Sequence, residues 1–422
     1  MMILDSRKHQ AHSFLPIPYP TQGLRSIVLS LGITSLLASI ATAPAQALSL
    51  TFVGEGQLSG TLTDGNSNPV GGLSGIAYTG SGTNYFVVSD SPTTPRVYTI
   101  NLTIAGTTIT PSLVGVNNIA NLANGTSDLE GIARDTSGNI FLSSEGQYSA
   151  AFNVQGDLAT ATVSPFVRAF NNSFDNATAT TFPLPSLFTT STTPLTNPPD
   201  GLGPRSNLAL ESLTITPDGN SLFTAVEAAL KQDQSFASLT GGTSGSLNRI
   251  QRFDLSSGLG SVTAQEQYLY TTDVGFGLSD LLAADNAGTF YALERAANTS
   301  GTITGIRIFE TSIAGATNIS GNTGLGGNIT GITQATKTLL VDFQTNGLAL
   351  FNYEGLAFDS TGSHLIVVSD NNFNGGTNSN FAVFATPVPF GIESGWLSTL
   401  SILGVVGGIA AKQQINKRGP DQ

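Results

Sequence analysis

Apolar stretches and polar, Gly-containing turns alternate along most of the chain, and the clearest unit runs from Asn352 to Phe373. Tyr353 to Phe358 is an apolar stretch, Asp359 to Ser363 holds the Asp, Ser and Gly of a tight turn, and Leu365 to Ser369 is rich in β-branched residues. That pattern predicts a β-hairpin. Glu354 opens the first strand and Asp370 follows the second, so antiparallel pairing brings both carboxylates to the end opposite the turn.

The unit recurs. Five segments align: Leu73-Ser74-Gly75-Ile76-Ala77, Leu129-Glu130-Gly131-Ile132-Ala133, Leu210-Glu211-Ser212-Leu213-Thr214, Leu278-Ser279-Asp280-Leu281-Leu282 and Tyr353-Glu354-Gly355-Leu356-Ala357. Each is followed by a turn and a second apolar stretch, and these end at Asp90, Glu145, Glu227, Glu294 and Asp370. Counted from Ser74, Glu130, Glu211, Ser279 and Glu354, the end positions lie 16, 15, 16, 15 and 16 residues on. Such regularity marks a repeat architecture in which each unit buries its apolar faces against its neighbours.

Further strand-like stretches follow each hairpin: Arg96 to Leu102 and Ile109 to Val116, Ala151 to Val154 and Thr162 to Phe170, Arg249 to Leu255 and Val262 to Tyr270, Gly305 to Thr311 and Thr338 to Phe343. Four antiparallel strands per unit predict an all-β fold, a β-propeller of five four-stranded blades, or six if an irregular insertion hides another. The fifth unit has one further stretch only, Phe381 to Ala385, and Leu50 to Leu58 is the strand that closes it. Residues 171–207, rich in Thr, Pro, Asn and Ser without a period, read as a flexible insertion, with Thr189 to Pro199 a long loop or flap.

Composition fits an exported folded body. The chain is 40% hydrophobic and only 10% charged, with 48 Gly, 19 Pro and no Cys, which excludes a disulfide framework and thiolate metal sites. Arg7, Lys8 and Arg25 precede an apolar run from Ile27 to Ala41 and an Ala45-Gln46-Ala47 cleavage pattern, so residues 1–47 read as a signal peptide. Residues 48–386 are the propeller. The formal charge is −12, with Lys and Arg scattered, which makes nucleic acid a poor partner. Residues 387–422 form a separate tail: Pro387 to Glu393, an apolar run from Trp396 to Ala411, then Lys412, Lys417 and Arg418. Sixteen helical residues rise about 24 Å, enough for a membrane tether with flanking residues. The tail resembles bacterial C-terminal sorting signals, in a cyanobacterial-type variant, which implies a sorting protease as partner and a periplasmic or cell-surface location.

If the hairpins are the inner strands of blades, their acids converge at one mouth of a central channel. Glu130, Glu145, Glu227, Glu294, Asp370 and Asp90, with Asn371 as a neutral donor, form an all-oxygen set that suits Ca²⁺. Glu211 and Glu354 are the candidate catalytic carboxylates; Arg295, Arg134 and Lys231 are the candidate cations for an anionic substrate. The other reading of the same acids is that they cap neighbouring blades or pair with these cations. A histidine-based triad lacks a position, because the one histidine beyond the signal peptide, His364, stands at the turn end of its hairpin.

Residues about 50 to 386 resemble the phytase-like domain family known for "esterase-like activity of phytase". The resemblance rests on Gly72-Leu73-Ser74-Gly75-Ile76-Ala77, Asp128-Leu129-Glu130-Gly131 with Ser144-Glu145-Gly146, Glu211-Ser212-Leu213-Thr214 with Pro217-Asp218-Gly219 and Glu227, Leu293-Glu294-Arg295, Lys337 to Asp342, and Glu354-Gly355 with Ser369-Asp370-Asn371-Asn372-Phe373. It implies hydrolysis of a small-molecule ester or phosphoester. The alternative expectation is a calcium-stabilised propeller that serves as a binding or structural module without catalysis.

Overall fold

The structure, a computed structural model, describes residues 49–91, 93–119, 122, 127–148, 161–174, 180–189, 202–235, 237–238 and 242–387. The signal-peptide segment and the tail beyond 387, with its sorting motif and apolar run, lie outside the described residues. Among the described residues, no helix is long and apolar enough to cross a membrane.

Five four-stranded antiparallel sheets make five blades. Blade 1 is Leu73–Tyr78, Asn84–Ser89, Arg96–Ala105 and Thr108–Asn118; blade 2 is Leu129–Arg134, Ile140–Ser144, Phe166–Phe170 and Thr180–Thr181. Blade 3 is Leu210–Ile215, Ser221–Val226, Leu247–Asp254 and Thr263–Thr271; blade 4 is Gly277–Ala283, Thr289–Ala297, Ile303–Ser312 and Thr336–Asp342. Blade 5 is Asn352–Phe358, His364–Asp370 and Ser379–Ala385, completed by Thr51–Leu58, which pairs antiparallel with Ser379–Ala385. The expected closure by the N-terminal strand is therefore present, and the ring has five blades.

Apolar clusters lie between successive blades and run round to the start. Val88 and Val97 pack with Ile132 and Leu142, Phe141 and Val167 with Leu213 and Val226, and Phe223 and Ile250 with Leu281 and Phe290. Tyr291 and Leu293 pack with Leu356 and Val367, and Ile366 and Val368 return to Tyr85 and Val87 of blade 1. Flanked by a cluster on each side, the inner strands are buried on both faces, which explains their near-continuous apolar sequences. Leu50 and Leu58 of the closing segment join two of these clusters. Each such burial contributes roughly 1.5–3 kcal/mol as an upper estimate.

Blade 2 departs from the sequence pattern. Thr162 to Phe170 reads as one strand, yet Ala161–Val163 pairs with Gln147–Tyr148 in a separate ribbon while Phe166–Phe170 joins the blade. Pro165 between them has no N–H for the ladder. Ala151 to Val154, the other strand expected in this unit, lies outside the described residues, and the strand that pairs with the far side of Phe166–Phe170 is Thr180–Thr181, inside the stretch read as a flexible insertion. The described part of that stretch is packed: Phe174, Phe182 and Phe188 are buried in the clusters on either side of blade 2.

The inner strands share one irregularity. Pairing slips between Leu73 and Ile76, Leu129 and Ile132, Leu210 and Ser212, Leu278 and Asp280, and Tyr353 and Gly355. A β-bulge in each blade thus releases Ser74, Glu130, Glu211, Ser279 and Glu354 from the ladder, and bulges re-aim side chains. At the next position the strands nearly touch. A Cβ on Gly75 would stand 2.5 Å from the Glu130 carbonyl oxygen, one on Gly131 2.7 Å from the Leu213 nitrogen, and one on Gly355 2.7 Å from the Ser74 carbonyl oxygen. Blade 4 carries Asp280 there. Its buried carboxylate accepts from the N–H of Leu281 (2.8 Å), of Leu356 (2.7 Å) and of Leu213, joining blades 3, 4 and 5 at the axis.

Candidate functional site

Two tiers of side chains surround the acidic mouth. The upper tier is the residue that follows the partner of Leu73, Leu129, Leu210, Leu278 and Tyr353 on each second strand: Asp90, Glu145, Glu227, Arg295 and Asp370, set by the pairings Leu73 to Ser89, Leu129 to Ser144, Leu210 to Val226, Leu278 to Glu294 and Tyr353 to Ser369. The lower tier is the bulged residues. Glu130, Glu145, Glu211, Glu227, Glu354 and Asp370 are only 2–8% exposed, so their charges are largely withdrawn from water. Asp128, one residue ahead of the blade 2 inner strand, joins them: one carboxylate oxygen each from Asp128, Glu130 and Glu145 lies within 4.8 Å of the others, and the same holds for Glu145, Glu211 and Glu227.

Arg96 acts on Asp90, and Arg295 is the cation that Glu211, Glu227 and Glu354 share. Its Nη1 donates to Glu354 and to the Asn352 side-chain oxygen, its Nη2 donates to Glu227 Oε1 at 3.0 Å, and Glu211 Oε1 stands 3.9 Å away. Asn352 Nδ2 donates to Glu354 Oε1 at 2.7 Å. Ser74 donates to Glu130, the Ala209 N–H donates to Glu145, and the Asn372 N–H donates to Asp370 at 2.8 Å. Asp90 is less well supplied: its Oδ1 is buried and has no hydrogen-bond partner among the described residues. It rests against Gly72, where a Cβ would come within 2.0 Å of that oxygen.

Electrostatics follow from crowding. Burial pushes Glu130, Glu145 and Glu211 well above the ordinary carboxylate range, and repulsion among them and from Asp128 and Glu227 adds to it. Burial likewise raises Asp90, and repulsion from Asp370 and Glu354 adds to it. Burial raises Glu354 to about 8 even though Arg295 opposes the shift, and Asp128 to about 6. The site therefore holds far more negative charge than Arg295 balances, and it gains from any cation or proton that enters.

Four residues named from the sequence are placed elsewhere. Glu294, one residue short of the tier, is taken up by Lys337 (2.7 Å), the Tyr270 hydroxyl (2.6 Å) and the Asp273 N–H (2.8 Å); Arg295 holds the channel position instead. The side chain of Asn371 is committed to backbone, accepting from Gly72 and Phe373 N–H and donating to the Thr377 carbonyl. Arg134 lies at the opposite, turn end of its strand, and Lys231 lies in the loop after blade 3's second strand, its N–H on the Gly203 carbonyl. His364 is also at the turn end, paired with Asp359 at 2.7 Å. Asp128, Ser74, Asn352 and Asp280 were not foreseen as site residues. Asp128 had a signal, since it precedes Glu130 by two and residues two apart share a strand face.

Residues 68–373 match the family described as phytase-like, "Esterase-like activity of phytase". The chain belongs to the phytase-like family. No curated protein sequence matches this phytase-like chain. Among solved structures, a luciferin-regenerating enzyme is similar at 12% identity over 76% of this chain and 80% of that one, with a TM-score of 0.36. The major allergen Mala s 1 of Malassezia sympodialis is similar at 13% identity over 77% and 82%, with a TM-score of 0.37. An exo-beta-1,3-galactanase from Phanerochaete chrysosporium is similar at 10% identity over 77% and 64%, with a TM-score of 0.39. Likenesses this distant carry nothing about activity.

The donors of the phytase-like mouth suit a hard divalent cation. They are all oxygens, two carboxylate trios are close enough to share an ion, and Asp90 Oδ1 is a buried acceptor that no group among the described residues satisfies.

Proposed function

We propose that the protein is an exported, calcium-dependent hydrolase of small ester or phosphoester substrates, working at the acidic mouth. The observation that carries this reading is the gathering of eight carboxylates, Asp90, Asp128, Glu130, Glu145, Glu211, Glu227, Glu354 and Asp370, at one mouth, where Glu211, Glu227 and Glu354 surround the Arg295 guanidinium. Asp90, Asp128, Glu130, Glu145, Glu227 and Asp370 are the residues to hold Ca²⁺, which when bound would polarise a phosphoryl or carbonyl oxygen and acidify water. Glu211 and Glu354 flank Arg295 and are the groups to orient water and take its proton. Arg295 is the donor for an anionic oxygen of the substrate. Residues 1–47 would carry the propeller across the membrane, and 396–411 would tether it there.

The test is hydrolysis of an aryl phosphate and an aryl acetate, each with Ca²⁺ and with chelator. Activity on one of them should require Ca²⁺, and Glu211→Gln and Glu354→Gln should each lower kcat by about 10²–10⁴, as loss of a general base does. Equal rates with chelator would sink the reading. A calcium-dependent rise in melting temperature with no hydrolysis of either ester would instead make the propeller a calcium-stabilised binding module.

A further inference from the structure

The other mouth of the channel holds a cavity of about 460 Å³, where the inner strands run into their hairpin turns. Every blade contributes an aliphatic side chain to its lining: Ile76, Ile132, Leu213, Leu282 and Leu356. Between this cavity and the acidic mouth stand the close-packed glycine backbones of blades 1, 2 and 5 and the Asp280 carboxylate, so the two ends of the axis are separate sites. A volume of this size lies within the range of small-molecule pockets, about 300–1,000 Å³.

Of the described residues that line the cavity, three carry a formal charge: Arg134, Asp135 and Asp359. Both carboxylates are occupied by their own turns. Asp135 accepts from Asn139 N at 2.8 Å and Asn139 Nδ2 at 2.6 Å; Asp359 accepts from Thr361 N at 3.1 Å and Ser363 N at 2.9 Å and faces His364 Nδ1 at 2.7 Å. Arg134 is different. Its Nη1 donates to the Asp135 carbonyl at 3.3 Å, and among the described residues its buried Nε has no partner and no carboxylate comes within ion-pair distance of the guanidinium. Gly80, at φ +82°, makes room for the guanidinium: a Cβ there would stand 2.6 Å from Nη1. A buried donor on a cation left without an acceptor is costly, and a carboxylate, which accepts from two guanidinium nitrogens at once, is the group that satisfies it.

We propose that this second mouth binds a small amphiphilic monocarboxylate, its apolar body in the aliphatic well and its carboxylate on Arg134. A dianion such as a phosphomonoester fits less well, because Asp135 and Asp359 already place negative charge at the rim. Binding here is independent of Ca²⁺ at the other mouth.

The probe is octanoate, titrated calorimetrically into the full-length protein in the presence of chelator, with octanol, octylammonium and octyl phosphate as comparators. Octanoate should bind saturably and more tightly than the other three. Arg134→Gln should weaken octanoate at least tenfold, as loss of a charge-assisted hydrogen bond does, and leave octanol unchanged. Thr136→Trp, at an exposed rim position, should block octanoate and octanol alike at an unchanged melting temperature. The proposal is overturned if octanoate shows no saturable binding at millimolar concentration, if octylammonium or octyl phosphate binds more tightly, or if Arg134→Gln, folded by circular dichroism, binds octanoate as the parent does.

Discussion

Replacing Arg295 with Met should destabilise the chelator-treated protein by about 3–5 kcal/mol at pH 9, above the value of about 8 to which Glu354 is raised, the usual cost of removing one partner from a buried ion pair. The guanidinium is hydrogen-bonded to Glu354 and Glu227 and lies 3.9 Å from Glu211. Met fills a similar volume but leaves those carboxylates buried among five others without the guanidinium. The same substitution should cost much less at pH 4, where the raised Glu354 and Glu211 carboxyls are protonated and the arginine is itself the uncompensated charge. Saturating Ca²⁺ should recover part of the loss at pH 9 by binding only the folded state. Urea unfolding at both pH values, with and without Ca²⁺, reads all three effects. A loss that is the same at pH 4 and pH 9 would mean that Arg295 acts by packing alone and that Glu354 and Glu211 beside it are not charged.

The second large effect is on pH. Burial raises Glu354 to about 8 and Asp128 to about 6, and Glu130, Glu145 and Glu211 are raised as well, whereas the same groups in the unfolded chain titrate near 4. Between those values the folded protein holds more protons than the unfolded one, so stability falls as pH rises. The contribution is fully present below about pH 4 and is lost as pH climbs through about 8 in the metal-free protein. With a pKa unit worth 1.36 kcal/mol, the sum is on the order of several kcal/mol. The expected result is a melting temperature that drops by several degrees from pH 5 to pH 8 in chelator and stays level in Ca²⁺, because the ion replaces the protons. A chelated protein whose melting temperature rises over that interval would show that the cluster is not raised.

The repeat was legible because an inner strand buried on both faces must be apolar throughout, so five such stretches, each with a turn and a second strand, stand out from the Thr- and Gly-rich remainder. The blade 2 outer strand was not legible. Thr180–Thr181 is two residues long, and no alternation can be read from two residues. The site was read to within one residue in blade 4, where Leu293-Glu294-Arg295 offers an acid and a base side by side. Only the pairing of Gly277 with Arg295 decides which faces the channel, and a one-residue slip sends the side chain to the other face. Arg134 could have been placed from spacing. It lies four residues beyond Glu130 on one strand, or about 13 Å at about 3.3 Å per residue, too far to serve the same mouth. Asn371 could not, because its hydrogen bonds go to Gly72 and Thr377, and that grouping exists only in the closed ring.

The central claim is that the acids of one mouth together hold a divalent cation, and calorimetric titration of Ca²⁺ into the chelator-stripped protein at pH 7 tests it most directly. Because several of these carboxylates are raised enough to carry protons, metal binding must displace them. The predicted result is saturable binding whose heat changes with the ionisation enthalpy of the buffer, reporting proton release, and which is lost in the Glu145→Gln, Glu227→Gln double variant. No saturable heat at millimolar Ca²⁺, or binding that the double variant leaves intact, would contradict it.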